Sequence, residues 1–412
     1  MNMKDFTKEV KETSNWLSQH GAVENNGMTR LLYTQEWVSA QRALKNAFES
    51  SGLYAYYDDI GNLFGQLKGR KYPDQVILSG SHIDTVINGG NLDGQFGIEA
   101  AFIALDYLQK TYGQPLRTLE VVSLAEEEGS RFPYVYWGSK NIVGIAKKED
   151  VKHISDAEGV NFVDAMSQAG FKFRPANQKP RSDIKTFVEL HIEQGNVLER
   201  EHITIGVVNS IVGQRRYNIT LKGEANHAGT TPMGYRKDTI CAFSRICYES
   251  TEKAKQYGDP LVLTFGRVVP HPNTVNVVPG QTDFTIDCRH TDKATLVEFT
   301  AMIENDIQRI CAEMGIEVKI DLWMDEAPIP MDEQLVTFVK KICDENQYSY
   351  KVMHSGAGHD SQIFAPIVPT VMMFVPSIKG ISHNPAEATT LSDLAEGVKL
   401  LTEVLYKLAY LE

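Results

Sequence analysis

Residues 75–85 read QVILSGSHIDT, and the fold turns on this stretch. An apolar run, Val76–Leu78, opens into Gly, Ser, His and Asp, which is the form of a short buried strand running into a loop. Downstream, GIEAAFIALDYLQK (97–110) has helical spacing, and TLEVVSLAEEEGS (118–130) is a second buried strand that ends in acids. Strand, helix, strand in that order predicts an α/β domain with a mostly parallel, mixed sheet flanked by helices. Ligands in such sheets sit just beyond the carboxyl ends of the strands. His82 and the run Glu126–Glu128 both fall at such ends.

Upstream, residues 5–17 and 34–50 have helical apolar spacing. The middle of the chain has a different period. RRYNITLKGEA (215–225), DPLVLTFGRVV (259–269) and QTDFTIDCRH (281–290) alternate with period two, and helical patterns lie near 236–256 and 293–314. This predicts a smaller α+β domain, an antiparallel sheet with helices on one face, over 212–327. Buried-strand character returns in PTVMMFVPS (369–377), and LSDLAEGVKLLTEVLYKLAY (391–410) closes the chain as a helix with Ser392 as a candidate N-cap. The expected organisation is one domain built from 1–211 and 328–412, interrupted by an insert.

The chain has 412 residues and a formal net charge of −12. That balance argues against a nucleic-acid partner or an anionic membrane surface, both of which need a basic face. No stretch reaches the ~18 apolar residues of a membrane span. The N-terminal MNMKDFTKEVKETSNWL is charged throughout and lacks the apolar core of a secretory signal, so a cytoplasmic protein is expected. Five cysteines, an odd number without a Cys-x-x-Cys pair, read as free thiols.

Several residues could hold metal. His82-x-Asp84 pairs a strand-end imidazole with a carboxylate able to orient it, though alone the motif describes a surface turn better than a metal site. Asp93 lies in NGGNLDGQFG, where glycines let backbone approach an ion closely, as they would in an ordinary Asp-Gly turn. Three acids directly after VVSLA repel one another unless solvated or neutralised by a dication, and two at close spacing can divide the roles of ligand and general base. His191, with Glu193 two residues on, lies inside an apolar run and also reads as a core residue. His383 sits in the Gly/Pro loop GISHNPAE (380–387). One explanation covers the set: two divalent ions bridged by carboxylate.

These motifs, with MTRLLYTQEW, AEEEGSRFPYVYWGSKNIVG, GQRRYNITLKGEANHAGTTPMGYRKD, HPNTVNVVPG and MHSGAGHD, make the chain resemble a known family almost end to end. It is similar to the dinuclear metallopeptidase-like amidohydrolases, which include aminoacylases, carboxypeptidase G, N-carbamoyl-L-amino-acid hydrolases and β-ureidopropionases. The resemblance implies a zinc-peptidase-like catalytic domain with an inserted lid and dimerisation domain. It implies two divalent ions per subunit, manganese or zinc. His82 and His191 would hold one ion, Asp93 would bridge, and Glu128 and His383 would hold the other. Asp84 would support His82, and Glu127 would be the general base. More distant members shift base and ligand to Glu126 and Glu127. A non-proline cis peptide is implied at Asp93–Gly94.

The same resemblance assigns substrate binding to Arg216, Asn276, Arg289 and Gln214, and transition-state stabilisation to His227. By residue type alone, Arg215 and Arg216 also read as a solvated pair, and Arg289 with Asp287 as a surface ion pair. The implied activity is hydrolysis of a ureido C–N bond of allantoate, a small carboxylate substrate, by a homodimer joined through the insert. N-carbamoyl-L-amino acids or β-ureidopropionate are the alternative substrates, and a non-catalytic scaffold is the alternative class. Tyr134, Tyr136 and Trp137 are candidates to line the pocket or to pack in the core.

Overall fold

The computed structural model describes residues 4–175 and 179–412. They divide into two compact units: one runs to Asn209 and resumes over Met331–Glu412, and the other is Ser210–Pro330, slightly wider at both ends than 212–327. In chain order the strands are β1 (Tyr54–Tyr57), β2 (Leu63–Leu67), β3 (Tyr72–His82), β4 (Arg117–Leu124), β5 (Ile184–Ile192) and β6 (Ile205–Ile211). The second unit adds β7 (Gly213–Lys222), β8 (Asn226–His227), β9 (Val262–His271), β10 (Val277–Val278), β11 (Gln281–His290), β12 (Glu317–Glu326) and β13 (Ile329–Pro330). β14 (Tyr350–Ser355) and β15 (Thr370–Val375) follow.

The first unit is built on a mixed sheet with the order β1-β2-β4-β3-β5-β15-β6. Its centre is parallel: β3 pairs with β4 and β5, and β15 pairs with β5. Its outer pairs are antiparallel. Parallel strands covered on both faces read as continuous apolar runs, and every residue of β15 is buried. Helices Gln95–Tyr112 and Leu391–Tyr410 pack together, the former against β3, β4 and β5. Phe64, Val76, Leu78, Val122, Leu124, Phe187 and Phe364 form a core cluster. Register aligns His82 with Leu124 and His191 with Phe374, so four parallel strands, β3, β4, β5 and β15, deliver their carboxyl ends to one edge.

Two local expectations are corrected. The last helix is capped by Thr390, not Ser392. Thr390 is extended (φ −66°, ψ 143°) and its hydroxyl accepts from the Asp393 N–H at 3.1 Å, whereas Ser392 is already helical. Cis peptides occur at Asp259–Pro260 and His271–Pro272, and Asp93–Gly94 is not cis. The sharp turn there is made by Gly94 itself, at φ +65° and ψ −51°, where helix Gln95–Tyr112 begins.

The second unit is an antiparallel sheet, β12-β7-β11-β9, with helices Thr239–Tyr257 and Lys293–Glu313 packed on it. Asp238 and Asp292 cap these helices through their side chains. Tyr217, Ile219, Leu221, Phe284 and Ile286 from the strands meet Phe299, Ile303 and Ile307. β11 alternates buried and half-buried residues along its length, as one covered face requires. No helix among the described residues is long and apolar enough to cross a membrane.

Candidate metal centre

His82 is the last residue of β3, and the turn after it brings Asp84 back beneath the ring. The His82 Nδ1 lies 3.0 Å from the Asp84 carbonyl and 3.3 Å from Asp84 Oδ1. His191, next to last in β5, has its Nδ1 2.9 Å from the Ile192 carbonyl, and its Nε2 accepts from the Gly94 N–H at 3.1 Å. A carbonyl can only accept, so each Nδ1 carries hydrogen, and Nε2 is the nitrogen that each ring can offer to a cation.

Both Nε2 atoms face one carboxylate oxygen. Asp93 Oδ1 lies 3.6 Å from His82 Nε2 and 3.2 Å from His191 Nε2. The other oxygen, Oδ2, lies 3.1 Å from His383 Nε2, which is 3.4 Å from Glu128 Oε1. Asp93 therefore divides the cluster into two halves. Ligand atoms within 4.8 Å of one another form three groups: His82, Asp93, His191; His82, Glu127, Glu128; and Asp93, Glu128, His383. Imidazole nitrogens and carboxylate oxygens this close in a buried space require positive charge among them, carried by protons on the rings or by a bound cation. By donor chemistry the cluster fits borderline divalent cations that take imidazole and carboxylate.

Electrostatics follow the burial. Burial raises the Asp93 carboxyl, but His191, His383 and His82 outweigh it and hold the group well below the usual carboxylate range. Burial pushes Glu127 well above that range, with Glu128 adding to the rise. His82, Asp93 and His191 are almost fully buried, whereas the His383 side chain is 50% exposed.

The three acids have separate tasks. Glu126 turns back on its own loop, where its carboxylate accepts from the N–H groups of Gly129 and, at 3.3 Å, Trp137. Glu127 and Glu128 face His82. Their backbone is held by Asp84, whose Oδ1 accepts from the Glu127 N–H at 2.9 Å and whose Oδ2 accepts from the Glu128 N–H at 3.2 Å. Asp84 thus ties the histidine to the acidic loop.

Other sequence candidates fall elsewhere. Glu193 caps helix Val197–Glu201 by accepting from the N–H groups of Val197 and Leu198 at 2.8 and 3.0 Å. Trp137 is buried and donates to the Tyr33 hydroxyl at 2.9 Å, so the core-packing alternative describes it; Tyr134 donates to Asp150 at 3.2 Å. Sequence reasoning missed Gln194, Ser382 and Glu387. Gln194 Nε2 donates to Asp93 Oδ2 at 2.8 Å, and the Ser382 hydroxyl lies 3.1 Å from the same oxygen. Glu387 is buried and accepts from the N–H groups of Leu92 and Asp93. The available signal was proximity to the ligands, since Gln194 is three residues past His191 and Glu387 four past His383.

In the second unit, Arg216 and Arg289 converge on one carboxylate. Arg216 Nε donates to Asp287 Oδ2 at 3.0 Å, and Arg289 donates to both Asp287 oxygens at 2.9 Å. The ion pair is real, but two guanidiniums share one acid, which leaves this face of β7 and β11 net positive. Gln214, opposite Arg289 in the ladder, donates to Glu326 at 3.0 Å. His227 is exposed on β8, with Nδ1 accepting from the Gly229 N–H at 3.1 Å, so its neutral ring carries hydrogen on Nε2. Asn276, also exposed, accepts through its carbonyl from the Ala228 N–H at 3.0 Å, one residue from His227.

Residues 78–407 match the model of peptidase family M20/M25/M40. The chain is 63% identical over 405 residues to an allantoate amidohydrolase of Escherichia coli (strain K12), covering 98% of each. It is 49% identical over 395 residues to an allantoate amidohydrolase of Bacillus subtilis (strain 168), covering 96% of each. A solved amidase of the hydantoinase/carbamoylase family from Burkholderia multivorans superposes with a TM-score of 0.93 at 30% identity, over 98% of each chain.

Proposed function

Because this chain belongs to peptidase family M20/M25/M40, a family of metal-dependent hydrolases, we propose that it holds two divalent ions, manganese or zinc, shared through Asp93. It hydrolyses a ureido C–N bond of allantoate, giving ureidoglycine, ammonia and carbon dioxide in purine breakdown. The substrate assignment is carried by the 63% and 49% identities over nearly the whole chain. The two-ion reading is carried by Asp93, whose oxygens face different histidines.

His82 and His191 would hold one ion, Glu128 and His383 the other. The ions would polarise the ureido carbonyl and acidify the attacking water. Glu127 takes the proton from that water and delivers it to the terminal nitrogen, which leaves as ammonia. The carbamate left behind loses carbon dioxide to release the amine. Arg216 and Arg289 clamp the substrate carboxylate, as guanidiniums do with two parallel bonds. Gln214 and Asn276 bond the ureido arms through their amides. His227, with hydrogen on Nε2, donates to the developing oxyanion.

The active form is a homodimer joined through the second unit. In support, the outer strands β9 and β12 carry exposed Val262, Val268, Leu322 and Trp323, apolar surface of a kind that dimers cover. Cytoplasmic placement is supported by five cysteines that are all free thiols. The test is a panel of allantoate, ureidoglycolate and N-carbamoyl amino acids, with and without manganese. Metal-dependent ammonia release from allantoate is expected, and turnover confined to carbamoyl amino acids would reject the assignment.

A further inference from the structure

We infer that Glu387 is a positioning residue that builds one half of the metal site by joining the loop of Asp93 to the loop of His383. This rests on the two-ion reading above. Glu387 Oε1 accepts from the backbone N–H of Leu92 at 2.9 Å and of Asp93 at 3.1 Å. Its other oxygen accepts from Ser382 Oγ at 2.8 Å, and that hydroxyl lies 3.1 Å from Asp93 Oδ2. One carboxylate therefore holds the main chain of one ligand and, through Ser382, the residue preceding the other.

The two halves of the site depend on this clamp unequally. His82 and His191 are buried on strands paired in the central sheet, so packing holds them. His383 lies on a loop, half exposed, with a left-handed backbone at φ +54°. A non-glycine residue in that region is strained and persists only where its surroundings impose it. Within the loop, Glu387 N–H donates to the Asn384 carbonyl at 2.9 Å, which closes the turn on the clamp residue. The clamp also explains a glycine. A Cβ on Gly90 would lie 2.1 Å from Glu387 Oε1 and 2.4 Å from its Cβ, so the Glu387 stem passes directly over that backbone.

The chemistry separates shape from charge. In Glu387→Gln the amide oxygen still accepts from Leu92 and Asp93. Its NH2 donates to Ser382 Oγ, which in turn donates to Asp93 Oδ2, so the network stays complete. In Glu387→Ala it is lost.

The experiment titrates manganese into metal-free parent, E387A, E387Q, E387M and S382A, and reads stoichiometry by metal analysis and ion–ion coupling by electron paramagnetic resonance. The parent should take two ions per chain with a coupled spectrum. E387A should bind its first ion with parent affinity and its second roughly 10–100-fold more weakly, the range seen when ligand supports are removed. E387Q should restore the second ion to within a few fold, whereas E387M, of similar size but without the hydrogen bonds, should not, which separates the clamp from mere space-filling. S382A should weaken only the second ion, and it decides the matter alone if E387A does not fold. Parent-like uptake of both ions by E387A, or equal weakening of both, would overturn the inference. A parent that takes fewer than two ions would overturn the two-ion reading itself.

Discussion

Asp84→Asn tests the link between His82 and the acidic loop. Asp84 is 1% exposed, and both its oxygens are committed: Oδ1 to the Glu127 N–H and the face of His82 Nδ1, Oδ2 to the Glu128 N–H. Asparagine offers one acceptor and one NH2, so one backbone N–H must face another donor. Leaving a buried donor unsatisfied costs about 1–3 kcal/mol. At about 1.4 kcal/mol per decade this is roughly 5- to 150-fold, if the cost falls on the working geometry of Glu127 and Glu128. Loss of the charge behind His82 also lowers its basicity toward metal, an effect of ~10–100-fold in comparable supports. The assay is ammonia release from allantoate across chelator-buffered manganese. The expected result is a fall of about 10–100-fold in kcat at saturating metal, a similar loss in metal affinity, and an unchanged KM for allantoate. A variant within twofold of the parent in both kcat and metal affinity would refute the reasoning, because it would show that the acidic loop holds its place without Asp84.

Gly94→Ala places a Cβ 2.4–2.5 Å from three ring atoms of His82 and adds the strain of a positive φ. The ring must move by about 1 Å, beyond the ~0.5 Å a functional site tolerates, so metal affinity should fall at least ~10-fold; a parent-like titration curve contradicts this. Glu127→Gln should cut turnover by at least ~100-fold with metal content intact. Glu126→Gln should leave turnover per folded molecule within a few fold and cost about 1–3 kcal/mol of stability, since Glu126 serves backbone N–H groups; the reverse outcome would return the base to Glu126. Glu99 is buried beside Ser14 and Gln95, and burial pushes its carboxyl up to about 8 from an ordinary value of 4.5. Between those values the folded chain holds a proton that the unfolded chain releases, so stability falls as pH rises through the window, by on the order of 4 kcal/mol. Glu99→Gln removes this slope, and its thermal midpoint should gain on the parent steadily from about pH 5 to pH 8. A constant difference would show that Glu99 titrates normally.

Much of the site was legible because strand ends announce themselves. His82 and the three acids follow apolar runs directly, and β3 and β4 end together in register. His191 was ambiguous, since a histidine inside VELHI carries no mark of which face it takes. The spacing of the three acids could not say which one works, because that depends on which backbone N–H groups lie within reach of each carboxylate. The Asp93–Gly94 expectation failed for a related reason: a glycine turns the chain as sharply with a positive φ as another peptide does by isomerising. Thr390 and Ser392 carry the same hydroxyl two residues apart, and only the backbone leaving the helix distinguishes them. Glu387 was invisible as a clamp because its partners, Leu92 and Asp93, are nearly 300 residues away in sequence.

The place of β15 in the sheet bears on how the chain is made. Its residues, 370–375, lie between β5 and β6, which end near residues 192 and 211. As the chain leaves the ribosome, both neighbours emerge well before the strand that joins them. During that interval two strand edges stand open, each offering unpaired N–H and C=O groups to other nascent chains. His383 emerges later still, so the proposed ligand set is complete only after β15 has been made. Metal capture by the five proposed ligands would thus mark a chain whose sheet has been closed. A chain truncated before residue 370 should be captured by chaperones or aggregate, however well its first 200 residues have folded.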